Sequence, residues 1–327
     1  MNLSSSRKTD EQLPREPQNS ETLRVLLLGA SGFTGSRILR ALRLHHDAHV
    51  SILSRRHDTT VDACDNPVIY GDVTDASSLH EAVQGIDVVV NATSYVGSDA
   101  TLIRQVNLEG TQNLLRACKL SSVNRIIHLG TASVYGSGPH RGPKPSELGY
   151  HPESTVSRAR AAAEQEVLAE GGVVVRPNLV YGAADRWFVP GIVRMFSTLG
   201  GTIDHGSALL SIIDVESLGR LTAAVATSRS SVPSVLHAAH PTPIRVKDFL
   251  AMVSGQVAHL ELPGDYTLVE ALRRLEPAGF RHHQVRMLGE DHFYDSSELW
   301  NITGLHARPL HLTPKASAWY RDHMAQP

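Results

Sequence analysis

Three glycines spaced by three residues, Gly29, Gly32 and Gly35, are where this sequence points most directly to chemistry. They lie in Gly29-Ala30-Ser31-Gly32-Phe33-Thr34-Gly35. The first glycine can end a strand in a tight turn, the second lets backbone come close to a diphosphate, and the third lets a helix pack close to the sheet. Unpaired N–H groups and the positive dipole at that helix start bind phosphate. Ser31, Phe33 and Thr34 therefore join the glycines as candidate cofactor contacts. A plain structural turn also uses glycines, so the flanking elements must decide. Further on, Ser54-Arg55-Arg56 stands where an NAD site keeps a carboxylate for the ribose 2′-hydroxyl. A carboxylate would repel a 2′-phosphate, whereas arginine grips one through parallel hydrogen bonds. NADPH is expected over NADH, the alternative being solvated loop arginines. His45, His46 and His49 have no acidic or cysteine companion and read as surface residues, so no metal is expected.

The elements that must position these residues alternate regularly. Residues 25–28 are apolar without polar alternation, as a strand covered on both faces requires. Ile38, Leu39 and Leu42 then mark one helix face. Further strands are expected at 48–53, 67–73, 86–92, 125–129 and 173–177. Asp75 reads as an N-cap. Helices are expected over 101–119, with Leu102, Val106, Leu114 and Leu115 buried, and over 154–170. This alternation predicts an α/β fold, a doubly wound parallel Rossmann sheet, over residues 23–180. Residues 181–327 read as a smaller, mostly helical substrate-binding lobe, with helical segments near 191–199, 215–228, 246–257 and 267–276. They are too scattered to suggest an independent core, and the lobe is expected to pack over the carboxyl ends of the strands. Trp187, Phe188, Val189 and Met195 could floor a flat apolar pocket or be ordinary core. Arg186, Arg194 and His205 could meet an acidic substrate group or be solvated.

Composition removes other classes. The chain has 327 residues, 41% of them hydrophobic, and a formal net charge of −2 from 31 basic and 33 acidic residues. That balance argues against nucleic acid and against a polybasic membrane role. No apolar run approaches spanning length. Two distant cysteines, Cys64 and Cys118, predict free thiols in a reducing, cytoplasmic setting. Residues 1–22 read as a disordered tail, not a secretory signal.

Several motifs then line up in order: Gly29–Gly35, Gly71-Asp72-Val73, Asn91-Ala92-Thr93, Val106-Asn107-Leu108-Glu109-Gly110-Thr111, Gly130–Gly136, Arg176-Pro177-Asn178-Leu179-Val180-Tyr181-Gly182, Ile212-Ile213-Asp214-Val215 and Tyr294-Asp295-Ser296-Ser297. Together they resemble the extended short-chain dehydrogenase/reductases, the group with the sugar-nucleotide epimerases and dehydratases. The resemblance implies that Asp72 and Val73 sit against adenine, that Ala92, Thr93, Pro177 and Asn178 approach the nicotinamide, and that Thr131 hydrogen-bonds a substrate carbonyl. Ser94, Tyr95, Ser133, Trp187 and Phe188 are the expected substrate contacts. A monomer or a family-like dimer through helices near 101–119 and 154–170 is expected.

One departure stands out. Aligning on Ala161-Ala162-Ala163-Glu164 puts Val156 and Arg160 at the tyrosine and lysine of the family's Tyr-x-x-x-Lys pair. Val156 cannot donate a proton. Arg160 can hold ribose hydroxyls but stays protonated. Three readings follow. The chain is an NADPH-dependent ketoreductase whose proton comes from a substrate phenol or from water, resembling atypical ketoreductases of aromatic, angucyclinone-type polyketide antibiotic biosynthesis. Alternatively Tyr95 or Tyr150 fills the gap in a nucleotide-sugar epimerase or dehydratase. In the third reading it is a non-catalytic NADP(H)-binding sensor.

Overall fold

The computed structural model describes residues 22–55 and 66–324. Arg56, Cys64 and nearly all of the N-terminal tail lie outside the described residues.

The glycine turn is built as the spacing predicts. Strand β1, Leu23–Leu28, runs into the turn, and helix α1, Gly35–Leu42, leaves it. Gly29 has φ +79°. A Cβ on Gly35 would lie 2.0 Å from the Gly29 carbonyl oxygen, so only glycine lets the helix start this close to the turn. β2, Ala48–Ser54, and β3, Val68–Tyr70, follow. Helix α2, Ala76–Ala82, begins at Asp75, whose carboxylate accepts the Ser77 N–H. After β4, Val88–Asn91, the expected long helix is broken into three pieces. A single turn, Ala100–Ile103, passes through a wide π-helical stretch, Arg104–Glu109, into α3, Gly110–Leu120. Leu102, in the turn before the break, is exposed and Val106 is only half-buried, contrary to expectation, while Leu114 and Leu115 are buried. The π turn serves Asn107, whose side chain accepts from the Tyr95 N–H at 2.7 Å and donates to the Tyr95 carbonyl at 2.8 Å.

β5, Arg125–Leu129, α4, Thr155–Ala169, and β6, Val173–Pro177, complete the alternation. Beyond it come β7, Leu179–Tyr181; α5, Phe188–Leu199; β8, Ile212–Asp214; α6, Val215–Thr227; and β9, Val235–Ala238. Last are α7, Val246–Gln256; α8, Leu268–Leu275; α9, His282–Gly289; α10, Ser297–Thr303; and α11, Pro314–Met324.

The main sheet has the order β9-β6-β5-β4-β1-β2-β3, and every pairing in it is parallel. Strand order reverses between β1 and β4, the place where open α/β sheets bind ligands. Val25 and Leu27 of β1 bury on one face, Leu26 and Leu28 on the other. Residues after 180 contribute β9 to this sheet, and α6 packs on α1. They also form an apolar cluster of their own, from Tyr181 through Phe196 and Phe249 to Tyr320. The sequence reading did not expect that cluster. Its members are spread over 140 positions and meet only in three dimensions.

Candidate functional site

A cavity of about 220 Å³ opens at the strand-order reversal. Gly29, Ser31, Gly32, Ser54, Arg55, Asp72, Val73, Ala92 and Thr93 line it together. Ser94 and Tyr95, expected to meet substrate, line this nucleotide-shaped cavity instead, because Asn107 ties the Tyr95 backbone to the π turn. Val106 of that turn also reaches the wall. Thr34 and Gly35 lie behind the wall. Thr34 precedes α1 and its carbonyl accepts the Arg37 and Ile38 N–H groups. The walls fit a dinucleotide: they are small or glycine at the turn and carry a cation, Arg55, at the end of β2.

Past the ends of β5 and β6 lies a chamber of about 410 Å³. Ser133, Val156, Arg160, Asn178 and Trp187 line it. Arg160 directs Nη2 onto the carbonyls of Leu129, at 3.2 Å, and Gly130, at 2.8 Å. Asn178 donates to the Ser211 carbonyl at 3.1 Å, and Pro177 is buried at the end of β6 beside it. Thr131 does not reach the chamber wall. It is buried, donates its hydroxyl to Ser133 Oγ at 3.1 Å, and accepts the Ser133 N–H. The hydroxyl presented to the chamber is therefore that of Ser133, with Thr131 behind it.

The far wall comes from Glu153, His283, Gln284, Met287 and His292, which no motif marked, and from Tyr294, which opens the last of the motifs. Burial pushes Glu153 up, but hydrogen bonds from Ser137, together with His283 and Arg286, hold it below the usual carboxylate value. Burial holds both His283 and His292 below the ordinary imidazole value. The Tyr294 phenol, raised by burial, bonds His140 Nδ1 at 2.9 Å.

Behind the chamber runs a buried network. Glu164 accepts the Thr131 N–H at 2.9 Å and Arg176 Nε at 2.7 Å. Arg176 also donates to the phenols of Tyr135, at 2.8 Å, and Tyr150. The Asp295 carbonyl can only accept, so His237 Nδ1, 3.2 Å away, carries the proton. His237 Nε2 then accepts the Tyr135 O–H at 2.6 Å. Burial lowers the His237 pKa to about 4. Burial first, then Glu164, raises Tyr150 to about 12. In the sequence, Arg176 inside Val173-Val174-Val175-Arg176-Pro177 was the one signal for this network: a charge in an apolar strand needs a buried partner.

A third space of about 360 Å³ adjoins the chamber, sharing Asn178, Leu179, Trp187, Gln284 and Met287 with it. Phe33 and Phe188 line this third space and not the other two. Asp185 lies on its floor. Its carboxylate accepts the N–H groups of Trp187, Phe188 and Val189 and the Tyr320 hydroxyl, all within 2.9 Å. The Gly182 N–H in turn donates to that hydroxyl at 2.8 Å. Among the described residues no cluster of metal-binding side chains occurs, and no helix is long and apolar enough to cross a membrane.

The chain is similar to several known proteins. Over 179 residues it is 28% identical to a 2-alkyl-3-oxoalkanoate reductase of Stenotrophomonas maltophilia, spanning 51% of this chain and 54% of that one. Over 251 residues it is 28% identical to a 4-hydroxy-2-methyl-3-oxo-4-farnesyl-3,4-dihydroquinoline-1-oxide ketoreductase of Stigmatella aurantiaca, spanning 71% and 72%. The chain thus spans about half the length of the first of these curated relatives. The fold matches that of UDP-glucuronic acid 4-epimerase from Bacillus cereus in complex with NAD, with a TM-score of 0.69 at 19% identity over 93% of this chain and 99% of that one. Residues 25–234 of this chain match a family model described as NAD dependent epimerase/dehydratase. With the glycine turn, the all-parallel sheet and the cavity at its reversal, that match shows that the chain belongs to the NAD dependent epimerase/dehydratase family.

Proposed function

We propose that the protein is an NADPH-dependent ketoreductase acting on an aromatic, polyketide-like ketone without a catalytic tyrosine. The observation that carries this reading is Val156. It lines the chamber, and the alignment on Ala161–Glu164 puts it where the family is expected to keep a phenol; Tyr294, the phenol on the chamber wall, bonds His140, and the others nearby are engaged as well. Tyr150 is held by Arg176 and Glu164, Tyr135 by His237, and Tyr95 faces the nucleotide cavity. When bound, the cofactor supplies a hydride. The glycine turn, Asp72, Val73, Ala92 and Thr93 would hold it, and Arg55 with Arg56 would take the 2′-phosphate that favours NADPH. Pro177 and Asn178 would stand beside the nicotinamide.

The ketone carbon gains the hydride and its oxygen needs one proton. Ser133 orients the carbonyl through its hydroxyl, and Thr131 acts through Ser133. Arg160, held against two backbone carbonyls, keeps a positive charge beside the developing alkoxide and cannot give up a proton. The proton then comes from a substrate phenol next to the ketone, or from water. Two similar proteins are named as reductases of carbonyl compounds, which agrees with this reading.

The test is NADPH oxidation with an ortho-hydroxy aryl ketone and its phenol-methylated analogue. Methylation removes the internal proton donor and should slow reduction by about 10²–10⁴-fold, as expected for loss of a general acid. Equal rates would refute proton donation by the substrate. Turnover of a nucleotide sugar with no net NADPH consumption would refute ketone reduction itself.

A further inference from the structure

Two helices face the third space with residues that are apolar except for Gln284. Phe188, Gly191, Ile192 and Met195 of α5 fall at i, i+3, i+4 and i+7, and Gln284, Met287 and Leu288 of α9 at i, i+3 and i+4. Phe33 and Phe280 close the ends. Asp185 is the one charged residue among the described wall residues, and its carboxylate is already shared among four donors.

A nucleoside diphosphate brings two negative charges, and the described walls hold no cation to meet them. The start of α5 would ordinarily be an anion site, but Asp185 occupies its N–H groups with a carboxylate. In the adjoining chamber Arg160 is the one arginine or lysine among the described wall residues; its Nη2 is bonded to two backbone carbonyls, and the Glu153 carboxylate offsets its charge. Arg194 sits outside, over the Phe280 ring at 4.9 Å. Gly191 keeps the space open, for a Cβ built on it meets nothing within 4 Å.

We infer that the space between α5 and α9 holds an uncharged apolar tail of the substrate, whose carbonyl lies in the adjoining chamber beside Val156 and Ser133. The position of the carbonyl rests on the ketone-reduction reading; the occupant of the apolar space does not. The substrate class is therefore a neutral ketone with a reactive polar end and an apolar tail, and nucleotide sugars are excluded from it.

The experiment titrates the full chain, saturated with NADP⁺, with 2′-hydroxyphenyl alkyl ketones of increasing acyl length, from acetyl to decanoyl, by calorimetry. UDP-glucose is the charged comparison. The dissociation constant should fall by about two- to fourfold for each methylene entering the apolar space, then level off when the space is full. Gly191→Leu fills open space at an ordinary helical position, so the protein should still fold and the chain-length dependence should vanish. A dissociation constant independent of length, an undiminished dependence in Gly191→Leu, or UDP-glucose binding more tightly than the acetyl compound would each overturn the inference. NADPH oxidation is followed in parallel. Length-dependent binding with no reduction of any ketone sinks the proposed reaction and leaves the apolar space standing. Reduction with kcat/KM equal at all lengths does the reverse.

Discussion

Replacing Arg176 by Met tests the network behind the chamber. The side chains of Arg176 and Glu164 are 3% and 0% exposed and meet at 2.7 Å. Removing the cation leaves Glu164 with the Thr131 N–H and a long 3.4 Å bond from the Tyr150 hydroxyl, in a fully buried site. Breaking a buried pair in this way costs about 3–5 kcal/mol, a large part of a typical domain's stability. The double variant Glu164→Leu/Arg176→Met removes both charges and orphans the Thr131 N–H, which costs about 1–3 kcal/mol. The double variant should therefore be more stable than Arg176→Met alone. Urea unfolding at pH 7 gives both values from the shift in midpoint at constant slope. The pH dependence adds a second check. Without Arg176, burial leaves the Glu164 carboxyl above its unfolded value, so the folded state takes up a proton first. The penalty of Arg176→Met should be full at neutral pH and shrink as pH falls towards the unfolded carboxyl pKa. A cost below about 1 kcal/mol, or a double variant as unstable as the sum of the singles, would refute a coupled buried pair.

Other consequences follow from single positions. Replacing Arg55 and Arg56 together should weaken NADPH by about 1–3 kcal/mol and NADH far less, by calorimetry; tighter NADH binding by the unaltered protein would contradict the 2′-phosphate assignment. Gly35→Ala must open the turn against the Gly29 carbonyl, so it should cost about 1–3 kcal/mol in thermal unfolding and lower cofactor affinity with it. Val156→Ala should keep most of the ketone-reducing activity, whereas Thr131→Ala should lose part of it by releasing Ser133; a collapse of activity in Val156→Ala would show that the position does more than pack. His237 is neutral when folded and protonates near its usual value when unfolded, so stability should fall by up to about 1.4 kcal/mol per pH unit between pH 6.5 and about 4, and His237→Gln should flatten that slope.

The nucleotide half was legible in the sequence because its chemistry is local. Turn, strand and helix lie within one stretch, Val25–Leu28 had to be buried on both faces, and Gly35 had no alternative. The π turn was not legible. Residues 101–119 look like one amphipathic helix, and only the tertiary demand of Asn107 on Tyr95 breaks it. The chamber was half legible. Val156, Arg160 and Asn178 follow strands and helices whose order could be read, but the opposite wall comes from residues such as His283 and Met287, more than a hundred positions later in the chain. Nothing in their neighbours signals what they face. Thr131 and Ser133 show a finer limit. Both are hydroxyl residues of one short helical turn, and only the backbone geometry decides which of them looks outward.

Tyr320 gives the molecule an order of completion. The wall residues of the nucleotide cavity all precede residue 107, so a growing chain has made them early. The floor of the apolar space waits for the last helix, because the Tyr320 hydroxyl bridges Gly182 and Asp185 and pins the first turn of α5. During synthesis the residues that line the nucleotide cavity are therefore made long before the residue that fixes the floor of the apolar space. Changes in the last helix therefore act first on the floor of the apolar space, far along the chain from the residues that line the nucleotide cavity.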